Sequence, residues 1–223
     1  MNPVLSVIVP VYNEERMLPA LFTRLYEALD ELHIAYEVIF VDDGSRDRSV
    51  ALLRAQYQQR PECTRVVIFA SNAGQHMAIL AGFEYSHGRH VVTLDADLQN
   101  PPEEIGRLVA ALEQGADYVG TIRKRRRDSW WRTSASRMLN RLRERTTRIK
   151  ISDQGCMLRG YSRSVVDAVN RCTEVNTFVP ALAYTFARNP VEIEVEHAAR
   201  ADGESKYSLY SLVRLNFDLM TGF

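Results

Sequence analysis

The sequence predicts an α/β domain built on a mostly parallel, doubly wound sheet with helices on both faces. Three observations support this fold class. From residue 4 to residue 122, short β-branched runs alternate with stretches of helical length. Polar residues directly follow the apolar runs, as is typical of the carboxyl ends of parallel strands. The 223 residues also suffice for one α/β domain with a substantial core.

The first strand and the first helix have the clearest patterns. Residues 4–11 form a β-branched run, and the loop Tyr12-Asn-Glu-Glu15 follows it. The next segment has an apolar stripe at three- and four-residue steps, which predicts an amphipathic helix. The stripe consists of Leu18, Leu21, Leu25, Leu29 and Leu32.

The same alternation predicts the remaining elements in order. Further strands are expected at 36–41, 65–70, 90–97 and 117–122. The helices that accompany them are expected at 46–57, 77–85 and 102–114. Beyond residue 123 we expect a basic helix at 130–147, a strand at 155–162, short helices at 163–171 and 177–187, and an alternating strand at 191–197.

Residues 90–102 carry the strongest chemical signal. The apolar run 91–94 is followed by Asp95, Asp97 and Gln99, just before two prolines. In an extended chain these three side chains point the same way, at roughly 6–7 Å intervals. Two carboxylates and an amide oxygen suit Mg²⁺ or Mn²⁺, whereas the lack of Cys and His among them argues against zinc. Taken alone, Asp-x-Asp is also compatible with ordinary turn chemistry.

Several other polar residues are expected at the same edge of the sheet. In doubly wound sheets, ligands bind outside the carboxyl ends of the strands. The residues predicted there are Asn13, Glu14, Asp42, Asp43, Asn72, Gly74, Asp95, Asp97 and Gln99. This convergence favours a binding site over isolated turns.

Charge and cysteine content add limits. The formal net charge is +0, but residues 123–150 carry twelve basic side chains against Asp128 and Glu144. Three scattered cysteines indicate reduced thiols rather than a disulfide framework. No apolar stretch reaches the ~20 residues of a membrane helix. The final segment, 207–223, is apolar and amphipathic, and we expect the natural chain to continue beyond it.

Four motifs together resemble family-2 glycosyltransferases with the GT-A fold, and within them the branch that transfers sugars to polyprenyl phosphates. The motifs are Val9-Pro-Val-Tyr-Asn-Glu14, Val41-Asp-Asp-Gly-Ser45, Leu94-Asp-Ala-Asp-Leu-Gln-Asn-Pro-Pro-Glu103 and Gly203-Glu-Ser-Lys-Tyr207. The resemblance implies inverting transfer from a UDP-sugar to undecaprenyl phosphate, with Mg²⁺ or Mn²⁺ as cofactor, in lipid A or other cell-envelope modification. The segments 72–76, 128–132 and 153–159 favour 4-deoxy-4-formamido-L-arabinose as the sugar, with UDP-glucose or UDP-N-acetylglucosamine as alternative donors.

The resemblance also implies roles for residues of the donor site. Asp42 or Asp43 would accept the imide N–H of uracil, although Asp-Asp-Gly-Ser also suits a simple strand-to-helix turn. Pro10, Tyr12 and Glu14 would line the uridine pocket. Further members of the site come from the motif after the fourth strand: Asp95 would contact the nucleotide, and Asp95, Asp97 and Gln99 would hold the metal.

A second group of residues would handle the phosphates. Arg132 and Ser136, four residues apart on one helical face, resemble the segment that binds the lipid phosphate in such enzymes. The other phosphate-binding candidates are Arg123, Arg200 and Lys206. The catalytic candidates are Asp97, Arg132 and Asp153, and Asp153 is expected to position the attacking oxygen rather than to act as a strong base.

The resemblance finally implies a membrane setting. Residues 1–206 would form the GT-A domain, and 207–223 a juxtamembrane helix followed by membrane helices, at the cytoplasmic face of a bacterial inner membrane. A homo-oligomer is also expected. The alternative is a non-catalytic protein whose segment 123–150 docks on a membrane or a nucleic acid. Nucleic acid is not expected, because only Trp130 and Trp131 accompany the arginines.

Overall fold

A mostly parallel sheet occupies the centre of the protein. In the computed structural model, which describes residues 3–123, 151–153, 155–172 and 178–196, this sheet has seven strands. The strands are β1 (Leu5–Val11), β2 (Tyr36–Asp42), β3 (Thr64–Ile68), β4 (His90–Thr93), β5 (Tyr118–Arg123), β6 (Arg159–Ser162) and β7 (Pro190–Val195). The described helices are α1 (Leu18–Asp30), α2 (Ser49–Gln59), α3 (Gln75–Tyr85), α4 (Ile105–Glu113), α5 (Arg163–Asn170) and α6 (Val179–Phe186), and a 3₁₀ turn, Pro102–Glu104, precedes α4.

The strand order is β3-β2-β1-β4-β6-β5-β7. β1 pairs in parallel with β2 and β4, β2 with β3, and β5 with β7. Among the described strands β6 alone is antiparallel to its neighbours, β4 and β5. The predicted fold class is therefore confirmed, and the carboxyl ends of β1, β2, β4 and β5 lie along one edge.

Two hydrophobic cores cover the opposite faces of this sheet. Because side chains alternate along a strand, β1 sends Val7 and Val9 into the first core and Ile8 into the second. Helices α1, α2 and α4 close the first core, and α3, α5 and α6 close the second. The continuous apolar run of β1 thus reflects burial on both faces.

The leucine stripe of α1 packs as its spacing predicts. Leu18, Leu21, Leu25 and Leu29 are fully buried, and each such side chain contributes roughly 1.5–3 kcal/mol relative to exposure. Leu32 lies just beyond the helix and packs against the same core.

The fourth strand is shorter than predicted. We expected it at 90–97, but pairing with β1 and β6 ends at Thr93. Beyond it the chain turns: the backbone N–H of Gln99 donates to Asp97 Oδ1 at 3.1 Å, and Leu98 has a φ of 57°. The prediction that Asp95, Asp97 and Gln99 alternate along an extended edge is therefore wrong, since these residues lie in a turn.

Two further element boundaries differ from the prediction, and next to both of them side chains form hydrogen bonds with backbone groups. Helix α2 begins at Ser49 rather than at residue 46, and ahead of it the N–H groups of Arg46 and Arg48 donate to the side chains of Asn13 and Glu15. The strand expected at 155–162 begins at Arg159. Ahead of it, the carbonyls of residues 157 and 158 accept from Thr93 and Thr121 hydroxyls.

Within the described ranges, every helix is too short or too polar to traverse a lipid bilayer. The predicted helix at 130–147 and the segment 197–223 lie outside the described residues.

Candidate functional site

The candidate site lies where the carboxyl ends of β1, β2, β4 and β5 meet. Pro10 is near the end of β1, and Tyr12 and Glu14 lie in the loop after it. The site residues on the next elements are Asp42 and Asp43 at the end of β2, Asp95, Asp97 and Gln99 after β4, Arg123 at the end of β5, and Asp153 in the segment before β6. The expected convergence at one edge is present.

Hydrogen bonds join the β1–α1 and β2–α2 loops into one wall of the site. The Asn13 N–H donates to Ser45 Oγ and the Glu14 N–H to Ser49 Oγ, both at 2.9 Å. The Glu15 N–H donates to Asp47 Oδ2 at 3.1 Å. Asn13 adopts a left-handed φ of 54°, which asparagine tolerates better than most residues. The wall therefore has a fixed backbone before any ligand arrives.

The adjacent carboxylates Asp42 and Asp43 have different surroundings. Asp42 is 0% exposed, and its Oδ2 accepts from the Ser45 N–H at 3.0 Å. Its Oδ1 is buried and has no hydrogen-bond partner among the residues that the structure describes. A buried carboxylate oxygen without a hydrogen bond raises the free energy of the folded state. Oδ1 therefore marks a position where a hydrogen-bond donor from a ligand would be favourable.

Asp43, in contrast, is saturated by the turn that leads into α3. It accepts from Asn72 Nδ2 at 2.7 Å, from the Ala73 N–H at 2.6 Å and from the Gly74 N–H at 3.0 Å. Gly44 permits this close approach, because a Cβ there would lie 2.6 Å from the Asn72 nitrogen. Asp43 thus organises the loop before α3, whereas the turn within Asp-Asp-Gly-Ser has the Ser45 N–H donating to Asp42.

The turn leads into Gln75, a residue for which no role was predicted from the sequence. Gln75, the first residue of α3, donates from Nε2 to Asp95 Oδ1 at 2.7 Å. Its neighbour His76 makes an edge-to-face contact with Phe178 at 5.1 Å between ring centroids. Burial lowers the pKa of His76 to about 4, so its ring is neutral.

Asp95 and Asp97 form a region of excess negative charge. Burial, reinforced by the charge of Asp97, raises the pKa of Asp95 to about 7. The hydrogen bond from Gln75 and the charges of Arg123 and Arg159 oppose this rise. A divalent cation would relieve the same repulsion, and oxygen donors are the ligands that Mg²⁺ and Mn²⁺ prefer.

The protein supplies only part of a coordination shell here. Among the described residues, no group of three or more His, Cys, Asp or Glu side chains could hold a metal ion. Asp95 and Asp97, with the amide of Gln99 nearby, fit a cation that completes its shell with water and phosphate oxygens, as Mg²⁺ usually does.

The third part of the site is the ion pair between Arg123, at the end of β5, and Asp153. Arg123 donates to Asp153 through both Nε and Nη2, at 2.7 and 2.9 Å. Although burial acts in the opposite direction, the hydrogen bonds and charge of Arg123 hold the pKa of Asp153 below its ordinary value. Asp153 is therefore a firmly ionised carboxylate that orients Arg123.

Arg159 lies beneath this pair and is 0% exposed. It donates from Nη2 to the Asp153 carbonyl at 2.6 Å and from Nη1 to the Tyr118 hydroxyl, while its Nε has no hydrogen-bond partner in the described ranges. The sequence signal for Arg159 was a lone cation in an apolar strand. Gln75 had only the weaker signal of a polar residue after a glycine turn.

The remaining predicted phosphate-binding residues lie outside the described part of the chain. They are Arg132, Ser136, Arg200 and Lys206.

Comparison with known proteins identifies the family. The model of the family described as glycosyl transferase family 2 matches residues 6–169. The chain belongs to glycosyltransferase family 2. The matched range includes every described residue of the site, from Pro10 to Arg159, and it confirms the resemblance found in the motifs.

Curated members of family 2 match nearly the whole chain. An undecaprenyl-phosphate 4-deoxy-4-formamido-L-arabinose transferase from Aeromonas hydrophila is 52% identical over 98% of this chain and 67% of its own length. The transferase of the same name from Pseudomonas aeruginosa strain LESB58 is 54% identical over 98% of this chain and 64% of its own length. The chain thus spans about two thirds of the length of these relatives.

Solved structures share the family-2 fold at low identity. Glucosyl-3-phosphoglycerate synthase from Mycobacterium tuberculosis, in complex with Mn²⁺, UDP and glucosyl-3-phosphoglycerate, has a TM-score of 0.67 and 17% identity, covering 98% of this chain and 77% of that one. A mannosyltransferase from Pyrobaculum calidifontis, in complex with GDP-Man and Mn²⁺, has a TM-score of 0.63 and 18% identity, covering 91% and 59%. These likenesses confirm the GT-A architecture.

Proposed function

We propose that this chain is the catalytic part of an enzyme that transfers 4-deoxy-4-formamido-L-arabinose from UDP to undecaprenyl phosphate, for modification of lipid A. The observation that carries the choice of sugar and acceptor is the 52–54% identity, across 98% of the chain, to curated transferases of that name. The residues at the carboxyl edge of the sheet support a nucleotide-sugar site of the corresponding chemistry.

The donor nucleotide binds along the wall formed by the first two loops. Asp42 accepts the imide N–H of uracil at Oδ1, the oxygen to which no described residue donates a hydrogen bond. Because Oδ1 is buried, the pairing needs a local rearrangement of the pocket as the base enters. Tyr12, 38% exposed, stacks on the base, while Pro10 and Glu14 line the pocket.

Asp95, Asp97 and Gln99 hold a divalent cation, Mg²⁺ or Mn²⁺, against the diphosphate. When bound, such a cation neutralises charge on the departing nucleotide. The chain's own contribution is to keep both carboxylates at one place, with Asp95 fixed by Gln75 at 2.7 Å. Asp95 also contacts the nucleotide, as the family resemblance implies.

The acceptor phosphate supplies its own nucleophile. Its second pKa is about 6, so it needs no strong general base at neutral pH. A phosphate oxygen attacks the anomeric carbon, the bond from that carbon to the UDP oxygen breaks, and the configuration inverts. Arg123, held in place by Asp153, attracts the incoming phosphate. Arg132 and Ser136, followed later in the chain by Arg200 and Lys206, add to the phosphate site.

The lipid acceptor places the reaction at a membrane. We assign it to the cytoplasmic face of the bacterial inner membrane, where the basic segment 123–150 faces anionic headgroups at roughly 1 kcal/mol per cation near the surface. The segment 207–223 acts as a juxtamembrane helix leading to membrane helices, and the enzyme assembles as a homo-oligomer.

Calorimetric titration of UDP and GDP tests the donor site. We expect UDP to bind in the presence of Mn²⁺, and to lose that binding in Asp97→Asn, which removes one charged metal ligand without changing side-chain volume. GDP should bind at least 10-fold more weakly, since it lacks the uracil imide that Asp42 recognises. Asp167→Asn, an exposed carboxylate on α5, is the matched control and should bind UDP like the wild type.

Donor competition and lipid transfer test the rest of the proposal. The formamido-arabinose donor should displace UDP better than UDP-glucose or UDP-N-acetylglucosamine, and should yield a lipid-linked sugar with undecaprenyl phosphate. A preference for another donor would overturn the sugar assignment alone. Salt-sensitive oligonucleotide binding, without metal-dependent UDP binding, would overturn the enzyme assignment.

A further inference from the structure

We infer that Gln75 is a positioning residue that fixes Asp95 for cation binding, and that it couples the cation site to the β2 end of the nucleotide site. The inference rests on the proposed function, because the cation belongs to that site. It is carried by the contact between Gln75 Nε2 and Asp95 Oδ1, at 2.7 Å, and by the way the protein anchors Gln75.

The position of Gln75 is fixed first by the carboxylate of Asp43, both of whose oxygens accept hydrogen bonds. Its hydrogen bonds to residues 72–74 fix the turn immediately before α3. Gly74 has a φ of 96°, which lets the chain turn sharply into the helix. Gln75 therefore starts α3 at a position that the β2 end determines.

The packing of the rest of α3 on the sheet also fixes the position of Gln75. Ile79 and Phe83 are fully buried in the second core, and Gly82 lies directly against Ile8 of β1. A helix packed this closely cannot shift without disturbing the sheet. The amide of Gln75 is thus presented to Asp95 by a rigid element, not by a mobile loop.

The chemistry of an amide suits this task. Gln75 donates to one oxygen of Asp95 without adding a charge, so it orients the carboxylate without repelling a cation. The second oxygen, Oδ2, lies 3.5 Å from Asn100 Nδ2, at the outer limit of a hydrogen bond. Oδ2 is therefore the oxygen that Asp95 offers to the metal. A lysine at position 75 would form an ion pair that competes with it.

Mn²⁺ binding in the presence of UDP, followed by the electron paramagnetic resonance signal of free Mn²⁺, tests the inference. Gln75→Met keeps the side-chain volume but removes the donor. Loss of a residue that orients a metal ligand typically costs about 10–100-fold in affinity, and we expect a loss in that range. Gln75→Lys should weaken Mn²⁺ binding at least as much. Gln58→Met, an exposed glutamine on α2, should bind like the wild type.

The transfer reaction provides a second measurement. Saturating Mn²⁺ should return kcat of Gln75→Met to within a few-fold of the wild type, because binding rather than chemistry is impaired. A purely packing role predicts wild-type Mn²⁺ affinity in Gln75→Met, since methionine fills the same volume, and that result would overturn the inference alone. Failure of the wild type itself to bind Mn²⁺ with UDP would instead overturn the proposed function.

Discussion

Asp42 and Asp43 are neighbours in sequence, yet their carboxylates have opposite hydrogen-bonding states. Within the described part of the chain, Asp42 has one buried oxygen without a hydrogen-bond partner, whereas both oxygens of Asp43 accept from the 72–74 turn. Asp153 differs from both, because its charge is matched by the Arg123 guanidinium. The three residues are of one type, so their different environments distinguish them. Asp42 has an oxygen available to a ligand, Asp43 anchors a loop, and Asp153 orients the Arg123 guanidinium.

The environment of Asp153 leads to a prediction about pH. Because Arg123 holds the pKa of Asp153 below its ordinary value, Asp153 is ionised throughout the neutral range and cannot serve as a titrating base there. Asp153→Asn should therefore lower the rate of sugar transfer by roughly 10-fold at every pH from about 6 to 9. By contrast, removing a general base typically lowers the catalytic rate by ~10²–10⁴-fold.

The measurement is the initial rate of transfer to undecaprenyl phosphate in detergent micelles across that pH range. Asp117→Asn, which alters a carboxylate bonded to the backbone at residues 188 and 189, controls for general effects of losing a hydrogen-bonded carboxylate. A loss above 10³-fold in Asp153→Asn, together with disappearance of an acidic limb, would contradict the positioning role.

Helix α3 is the element that links the core of the protein to its site. Its middle packs on β1, where Gly82 leaves no room for a larger residue, and its first residue reaches Asp95. A Cβ at position 82 would lie 2.3 Å from Ile8 Cγ2. Ile8 is fully buried and β-branched, so it has little freedom to move away.

Two helical glycines therefore should respond differently to alanine. Gly82→Ala should lower the free energy of unfolding by about 1–3 kcal/mol, the usual cost of overpacking a core. Gly106→Ala, on α4, meets only the flexible end of Leu32 at 2.9 Å. The helix propensity of alanine, ~1 kcal/mol better than that of glycine, should keep Gly106→Ala within about 1 kcal/mol of the wild type. Urea unfolding measures both, and equal effects would refute the argument.

The sequence predicted elements well where apolar periodicity defines them. The α1 stripe and the strand at 36–41 are examples, because their burial follows directly from spacing. The ends of elements were predicted poorly where a side chain bonds the backbone. β6 starts at Arg159 rather than at residue 155 for this reason, since the carbonyl of residue 158 accepts from the Thr121 hydroxyl, and no propensity encodes such a partner.

The site was predictable to a similar extent. The motifs placed Asp42 and Asp95 at one edge, because parallel strands bring their carboxyl ends together. The role of Gln75 was not predictable, since its contact with Asp95 joins residues 20 positions apart through the tertiary packing of α3. The pairing of Arg123 with Asp153 also depends on the antiparallel return of β6.

The whole domain gains its stability from two cores that share one sheet, so a change in either core should be measurable in global unfolding. His76 lies where the second core meets the site. Its pKa is lowered by burial to about 4, from an ordinary value near 6.5. The unfolded chain therefore binds a proton at higher pH than the folded chain does, and stability falls as pH decreases from about 6.5 toward 4.

This linkage predicts acid sensitivity of the domain. Between pH 7 and pH 5, His76 should account for a loss of roughly 1–2 kcal/mol in the free energy of unfolding. His76→Phe keeps the aromatic contact with Phe178 and should lose correspondingly less. Urea unfolding at the two pH values measures the difference. His87→Gln, an exposed ring, should behave like the wild type, and an unchanged pH response in His76→Phe would contradict the assignment.

The antiparallel insertion of β6 also affects how the nascent chain assembles. β2, β3 and β4 each emerge from the ribosome after a strand with which they pair, so the first half of the sheet can grow in step with translation. β5 cannot, because its partners β6 and β7 are encoded later. Residues 124–158 separate β5 from β6, and at ~5–20 residues per second this leaves an apolar strand unpaired for roughly 2–7 s. During that interval Tyr118 and Val119, which are buried in the folded protein, have no partner strand beside them.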